Sequence, residues 1–439
     1  MWATRGYRKA LKRRHMNMIA IGGSIGTGLF LGASGRMEIA GPSLAVVYIV
    51  CGLFAFIVVR ALGELVMYRP SSGAFVSYAR EFMGEKGAFT VGWLFFLDWG
   101  TTVIADITAI ALYTHFWSFF TPIPQWVIAL VALLIVMAMN VTSAVLFGEL
   151  EYWFALVKVG AIVLFGILGV FLIVTQTPHP RAPSRPRHDR GQRRFLPDGH
   201  RRDVRDRARR RLRVRRNRDG RGGRRRRGQG RALRRPARGQ LDHVAHHALL
   251  RGSVVLFTLL MPWNAYKANE SPFVTVMSAI GIPHAGDIMN LVVLTAAMSS
   301  LNAGLYSTGR TLRSLAMAGT GPKFAKRMNK AGVPYGGILI TTGLGVIGVF
   351  LNMVVPPGQV FEIVLNLAGL GIVGVWASII VCHWLFIRKM KREGRERPAF
   401  RLPWAPVTNG VTLGFLALVV LLMALDQASA ASRSSRSSP

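Results

Sequence analysis

The chain has 439 residues, of which 51% are hydrophobic and only 17% charged. Soluble proteins carry about a quarter charged residues, so this composition excludes a soluble multi-domain protein and indicates a membrane protein. The net charge of +35 is uneven, because residues 181–240 hold 26 Arg and 5 Asp with no Lys or Glu. The charge is therefore a local property of that stretch and not a feature of the whole molecule.

Nine apolar stretches are long enough to cross a bilayer, which takes about 20 predominantly apolar residues per helix. In chain order they are 16–35, 43–67, 89–115, 125–147, 152–175, 288–312, 335–355, 361–387 and 406–425. The apolar run at 254–261 is too short to cross alone, and 176–253 contains no span. The pattern predicts an all-α polytopic membrane protein.

Loop charges predict the orientation, because cytoplasmic loops carry an excess of Lys and Arg. The N-terminal segment 1–15 is strongly basic, and so are the loops at 69–86, 323–330 and 388–397, whereas the loop at 352–359 has no charge. We therefore expect a multi-pass protein of the plasma (inner) membrane with a cytoplasmic N-terminus. This orientation places the Arg-rich stretch on the outer side, against the rule that the other loops obey.

Glycines crowd the first span. Each weakens a helix by about 1 kcal/mol relative to Ala, so a span with several either packs closely on another helix or is unwound. An unwound segment exposes backbone N–H groups, which can bind a carboxylate. It also exposes backbone carbonyls, which can accept hydrogen bonds from an ammonium group. Both interpretations stay open at this point. The glycines concerned are Gly22, Gly23, Gly26, Gly28 and Gly32.

Charged residues also lie inside spans, where their cost indicates a function. Lys158 in the fifth span is a candidate proton-coupling group; alternatively, its ammonium reaches the membrane surface near Glu149 and Glu151. Asp98 and Asp106, eight residues apart on the third span, share a helix face. Each is a candidate for a proton relay or for binding a substrate ammonium, although Asp98 is alternatively interfacial. Asp106 joins Lys158 as the predicted proton-coupling pair.

Small polar groups lie in the middle of the sixth span at Ser299, Ser300 and Asn302. Such groups either bind neighbouring helices or line a cavity, and Ser299 and Asn302 are our candidate substrate-binding residues there. Arg60 and Glu64, one turn apart near the end of the second span, predict a structural ion pair.

The sequence does not indicate an enzyme. It contains no nucleotide-binding loop, metal-ligand cluster or nucleophile–base pair, and GSIGTG lies inside a span without the following Lys of a phosphate loop. Cys51 and Cys382 lie in apolar runs, so they predict neither a disulfide framework nor a metal site. We expect no catalytic residue, no metal and no cofactor.

Several segments together resemble one known family. They include "GYRKALKRRHMNMIAIGGSIGTGLFLGASG", "ELEYWFALVKV" and "MPWNAYKANESPFVTVMSAIGIP", within two collinear blocks at about 1–177 and 252–426. The chain resembles amino acid permeases of the amino acid–polyamine–organocation superfamily. Within it, L-asparagine permeases are most similar, and D-serine/D-alanine/glycine permeases follow.

The resemblance implies twelve helices with two inverted five-helix repeats, as in leucine-transporter-like folds, and alternating access coupled to protons. It implies that Ser24, Gly26, Thr27 and Gly28 hold the α-carboxylate and α-amino groups of the substrate. Lys158 would lie where sodium-coupled relatives bind a cation. The expected function is proton-coupled uptake of a neutral polar amino acid, L-asparagine first, with protons and the lipid bilayer as the other partners.

The chain departs from this family pattern in its middle and at its C-terminal side. No apolar span stands where helix six, most of helix seven and helix twelve are expected, so the predicted fold is incomplete. The predicted division is a basic N-terminus (1–15), helices one to five (16–177), an Arg-rich disordered segment (178–250), the helix-seven remnant with helices eight to eleven (251–426), and a disordered tail (427–439).

Three hypotheses explain residues 178–250: a functional inserted loop, out-of-frame translation that also covers 427–439, or a membrane-tethered binder of nucleic acid or an anionic surface. The segment has no Lys, whereas the rest of the chain has ten, and Phe195 is its single aromatic residue. Nucleic-acid-binding segments commonly add aromatic residues for stacking. The composition favours out-of-frame translation, which predicts a transport-defective chain and makes nucleic acid an unlikely partner.

Overall fold

The computed structural model describes residues 25–71, 74–175 and 251–436. In this part of the chain the regular structure is helical, without strands. The helices, numbered α1 to α12 in chain order, are Thr27–Phe30, Gly32–Ala40, Ser43–Tyr68, Ala74–Thr114, Gln125–Thr142, Ala144–Thr175, Arg251–Leu260, Pro272–Ala279, Ala285–Met317, Tyr335–Val354, Pro357–Arg392 and Val407–Arg436.

Eight of these helices, α3 to α6 and α9 to α12, are long and apolar enough to cross a membrane. They coincide with eight of the nine predicted spans, so the predicted all-α polytopic class is confirmed. The ninth, 16–35, lies partly outside the described residues and continues as the short helices α1 and α2. The run at 254–261 forms the ten-residue helix α7, which is too short to cross alone.

Two helix boundaries differ from the predicted spans. The fourth span ends at Thr142 instead of 147, because Ser143 is extended (φ −161°, ψ 134°) and its hydroxyl accepts a hydrogen bond from the N–H of Val145. The third span is preceded by helix from Ala74 onward, interrupted at Gly84, whose φ of 78° only glycine adopts readily. Hydropathy does not detect either feature, because both depend on local backbone conformation.

The helix α12 extends beyond its apolar part. Its candidate membrane span ends at Asp426, close to the predicted 425, and the helix continues to Arg436. Residues 427–436 are therefore helical, which differs from the predicted disordered tail. The predicted basic N-terminus at 1–15 and the Arg-rich segment at 178–250 lie outside the described residues.

The helices α4 and α9 form the centre of the bundle. α4 packs mainly against α11 and α9, while α9 also contacts α5, α6, α8 and α10. The apolar stretches of α4 and α9 are each 67% buried, against 22% for α3 and 17% for α12. Side chains that carry chemistry are therefore expected on α4 and α9, with the outer helices presenting apolar side chains to lipid.

Candidate functional site

The described part of the glycine-rich stretch is not a continuous helix. Ile25 and Gly26 lie outside any helix, and Gly26 is extended (φ −123°, ψ −168°). Helix α1 begins at Thr27 without a side-chain cap, and the chain departs from regular helix again at Leu31 (φ −118°, ψ −51°). The first N–H groups of a helix have no partner within it, so this backbone presents donors at the break.

The two glycines that flank Thr27 differ in their surroundings. A Cβ on Gly26 would lie 3.1 Å from the hydroxyl oxygen of Ser300, whereas a Cβ on Gly28 would meet no atom within 4 Å. Close packing thus explains Gly26, and open space lies beside Gly28. Ser24, which the resemblance assigns to the substrate, lies outside the described residues.

Asp106 on α4 faces this break. The hydroxyl of Thr27 donates a 2.8 Å hydrogen bond to Asp106 Oδ1, and both side chains are buried. The second oxygen, Oδ2, is buried and accepts no hydrogen bond from the described residues. Asp98 lies elsewhere, because its backbone packs against Gly371 of α11, where an added Cβ would be 2.7 Å from the Asp98 nitrogen. Of the two aspartates, the structure brings only Asp106 to the break.

Lys158 is fully buried in α6. Its Nζ donates hydrogen bonds to Ser299 Oγ (2.8 Å) and to the carbonyl of Ile25 (3.3 Å). It also lies 3.9 Å from Oε1 of Glu151. A lysine that reached the membrane surface would expose its ammonium, so that alternative does not hold. The ammonium joins α6 to α9 and to the break before α1.

Glu151 is also fully buried and binds two predicted residues of α9. Its Oε1 accepts from Ser299 Oγ (2.8 Å) and its Oε2 from Asn302 Nδ2 (3.4 Å). Asn302 Oδ1 accepts a 2.7 Å hydrogen bond from Asn140 Nδ2 of α5. These residues and Lys158, called here the Lys158 network, join α5, α6 and α9.

Two members of the Lys158 network, Glu151 and Asn140, are absent from the predicted site. Glu151 lies near the start of α6, which suggests an interfacial position. Its spacing to Lys158 is the signal that points inward, because seven residues are about two helical turns and place both side chains on one face. Asn140 has no comparable signal, since its partner lies on another helix.

The predicted ion pair between Arg60 and Glu64 is wrong. Glu64 is fully buried near the end of α3 and accepts two 2.8 Å hydrogen bonds from the Arg397 guanidinium, one at each oxygen. The N–H of Leu402 adds a 2.7 Å bond to Oε2. Arg60 instead lies 3.5 Å from the centre of the Phe400 ring. The planar guanidinium of Arg397 matches both carboxylate oxygens at once, which explains the pairing.

A buried histidine completes this second cluster. His383 Nε2 lies 3.0 Å from Glu64 Oε2, and its Nδ1 lies 3.0 Å from Asn409 Nδ2. Because a carboxylate only accepts, Nε2 carries the hydrogen. The Glu64 cluster, defined as Glu64, His383, Arg397, Leu402 and Asn409, connects α3, α11, α12 and the segment that follows α11.

Comparison with known proteins identifies the family of the chain. The family model described as "Amino acid permease" matches residues 15–202 and 250–436. The chain belongs to the amino acid permease family. The L-asparagine permease of Streptomyces coelicolor is 55% identical over 427 residues, covering 96% of this chain and 86% of the relative. The L-asparagine permease of Escherichia coli strain K12 is 48% identical over 424 residues, covering 96% and 84%.

Family membership confirms the resemblance read from the sequence. The family and these relatives are permeases, which are transporters and not enzymes, as predicted. Family membership also accounts for the eight long apolar helices, so this permease is a multi-pass membrane protein. Its substrates belong to the class of amino acids. The family match omits residues 203–249, which contain most of the Arg-rich stretch.

Proposed function

We propose that the function encoded by this fold is proton-coupled uptake of a neutral polar amino acid, L-asparagine, across the plasma (inner) membrane with the N-terminus in the cytoplasm. Relatives named L-asparagine permease at 48–55% identity support the substrate. Lys158 carries the argument for proton coupling. Its buried Nζ binds the carbonyl of Ile25, so a change in its charge acts directly on the break before α1.

The substrate carboxylate and amino group bind at the backbone of Ser24, Gly26, Thr27 and Gly28 in this proposal. The open space beside Gly28 supports this placement. The start of helix α1 at Thr27 also supports it, because the first N–H groups of a helix have no partner within the regular helical pattern. Asp106 shares proton coupling with Lys158, since its carboxyl holds the Thr27 hydroxyl at the same break.

For Ser299 and Asn302 we propose another role beside the predicted substrate binding. Their side chains hydrogen-bond to Glu151, and the Ser299 hydroxyl also accepts a hydrogen bond from the ammonium of Lys158. We therefore assign both to proton coupling, where they hold the charged residues of the Lys158 network.

We further propose that this chain is transport-defective. The family match stops at 202 and resumes at 250, and the resemblance assigns helix six and most of helix seven to that region. Residues 178–250 contain no Lys and are rich in Arg and Gly, which out-of-frame translation of a GC-rich gene explains. The side of the substrate site that faces α1 would then be lost.

Translating the nucleotides for residues 178–250 in the other two frames is the first test. An apolar, glycine-containing span is expected in one of them. If neither frame contains such a span, out-of-frame translation is excluded.

Uptake of radiolabelled L-asparagine by cells that lack asparagine transport is the second test. The chain is compared with a version whose reading frame is restored across 178–250. We expect uptake by the restored chain and none by the unaltered chain. In the restored chain, an uncoupler and the substitution Lys158→Met should each abolish uptake. The control Lys86→Met should keep it, because Lys86 is exposed. Uncoupler-sensitive uptake by the unaltered chain contradicts the defect, and a restored chain that reaches the membrane without uptake contradicts L-asparagine as substrate.

A further inference from the structure

The hydroxyl of Ser299 gives the Lys158 network a direction. Lys158 Nζ donates to Ser299 Oγ at 2.8 Å, and Ser299 Oγ donates to Glu151 Oε1 at 2.8 Å. A serine hydroxyl has one hydrogen, and an ammonium has no acceptor. Both hydrogen bonds therefore run from the amine towards the carboxylate.

We propose that Glu151 accepts the proton that Lys158 releases, with the Ser299 hydroxyl as the relay; this rests on the proposed proton coupling through Lys158. In the transfer, an N–H bond of Lys158 breaks as an O–H bond forms on Ser299. The original O–H bond of Ser299 breaks as one forms on Glu151 Oε1. The products are a neutral amine, a serine hydroxyl and a neutral carboxylic acid, with no oxidation or reduction.

The distance between Lys158 and Glu151 favours transfer through a relay residue. Lys158 Nζ and Glu151 Oε1 are 3.9 Å apart, which is too far for an N–H···O hydrogen bond. Each of the two steps through Ser299 spans 2.8 Å. Proton transfer follows hydrogen bonds, so the serine route is favoured over a direct jump.

The surroundings of Lys158 select Glu151 as the acceptor. Within the described part of the chain, the ionisable groups that face Lys158 are Glu151 on α6 and Asp106 on α4. Asp106 accepts a hydrogen bond from Thr27, whereas Glu151 is joined to Lys158 through Ser299. Among the described residues, the hydrogen-bond partners of Lys158 are neutral, namely the Ile25 carbonyl and the Ser299 hydroxyl.

Discharge of Lys158 affects the substrate segment. The hydrogen bond from Nζ to the Ile25 carbonyl is charge-assisted while the amine is protonated, and such bonds are about twice as strong as neutral ones. Once the proton has moved to Glu151, the hydrogen bond from Lys158 to the Ile25 carbonyl, in the break before α1, weakens. The relay thus links proton release to the freedom of the backbone that binds the substrate.

Time-resolved infrared spectroscopy on the purified full chain in lipid nanodiscs tests the relay without requiring transport. A light-released proton lowers the pH, and the C=O stretch of protonated Glu151 is followed with time. We expect a band that is absent in Glu151→Gln and present in both Asp106→Asn and the control Glu149→Gln. A band that persists in Glu151→Gln and vanishes in Asp106→Asn overturns the proposal in favour of Asp106.

The rate of the band separates a relay from a structural role. Ser299→Ala is expected to slow its appearance about 100-fold, since a positioned proton-transfer group contributes about that much or more. Ser299→Thr keeps a hydroxyl and is expected to restore the rate, and Lys158→Met is expected to slow it as Ser299→Ala does. Unchanged rates in Ser299→Ala and Lys158→Met show that Glu151 is protonated by another route and overturn the proposal. A lack of asparagine uptake leaves these measurements unaffected.

Discussion

Glu64→Gln removes the negative charge of the Glu64 cluster, in which the side chains of Glu64 and His383 are fully buried. The carboxylate of Glu64 accepts four hydrogen bonds, two from Arg397 and one each from His383 and Leu402. Glutamine keeps one oxygen but replaces the other with an NH₂ group. That group points a donor either at one N–H of Arg397 or at the three donors that meet at Oε2.

The expected cost follows from the burial of the partners. Glu64 and His383 have fully buried side chains, and that of Arg397 is 18% exposed. Breaking a buried ion pair costs about 3–5 kcal/mol, because one charge remains without compensation. Since Arg397 regains some contact with water, we expect the lower end, a loss of about 3 kcal/mol in the free energy of unfolding.

The measurement is denaturant unfolding of the purified chain in mixed micelles, followed by tryptophan fluorescence. Arg60→Gln is the matched control. Arg60 lies one turn away on α3, is half-buried, and contacts an aromatic ring and a carbonyl, so its substitution should cost no more than about 1 kcal/mol. The double variant with Arg397→Met should cost less than the sum of the single variants, because no charge of the pair then remains.

Two results would refute this reasoning. Equal stabilities of Glu64→Gln and Arg60→Gln would mean that the buried carboxylate contributes no more than a half-buried residue outside the Glu64 cluster. Additive costs of Glu64→Gln and Arg397→Met would mean that the two side chains do not interact, whatever their distance.

Two further variants test helix packing and the substrate segment. Gly371→Ala would bring a Cβ to 2.7 Å from the Asp98 nitrogen and should cost about 1–3 kcal/mol of unfolding free energy. In the control Gly414→Ala the added Cβ meets no atom within 4 Å, so this variant should be neutral or stabilising. Equal effects of the two substitutions would contradict the packing of α4 on α11. Thr27→Val removes the hydrogen bond to Asp106 and should cost about 1–3 kcal/mol, whereas Thr27→Ser keeps the hydroxyl; a loss of equal size in both, measured by the same unfolding assay, would show that the bond does not matter.

The membrane spans could be predicted from the sequence because hydropathy is a local property. A stretch such as 335–355 must be apolar over about 20 residues to cross a bilayer, and the helix Tyr335–Val354 lies there. For the glycine-rich stretch the sequence left two interpretations open, close packing and an unwound backbone, because glycines disfavour helix but also allow helices to approach. The structure decided between them at Gly26, where the backbone is extended. The sequence by itself also identifies Lys158 as a candidate functional residue, because a cation inside a membrane span is costly in any fold.

The partners of these residues were decided by the tertiary structure. Arg60 is the nearest cation to Glu64 along α3, yet Arg397, 333 residues away, forms the ion pair, because its guanidinium reaches both oxygens while Arg60 stacks on a ring. Lys158 meets Ser299, 141 residues away, because α9 crosses α6 at the bundle centre. A sequence determines which side chains are costly to bury; only packing decides which group compensates each one, since hydrogen bonds depend on distance in space.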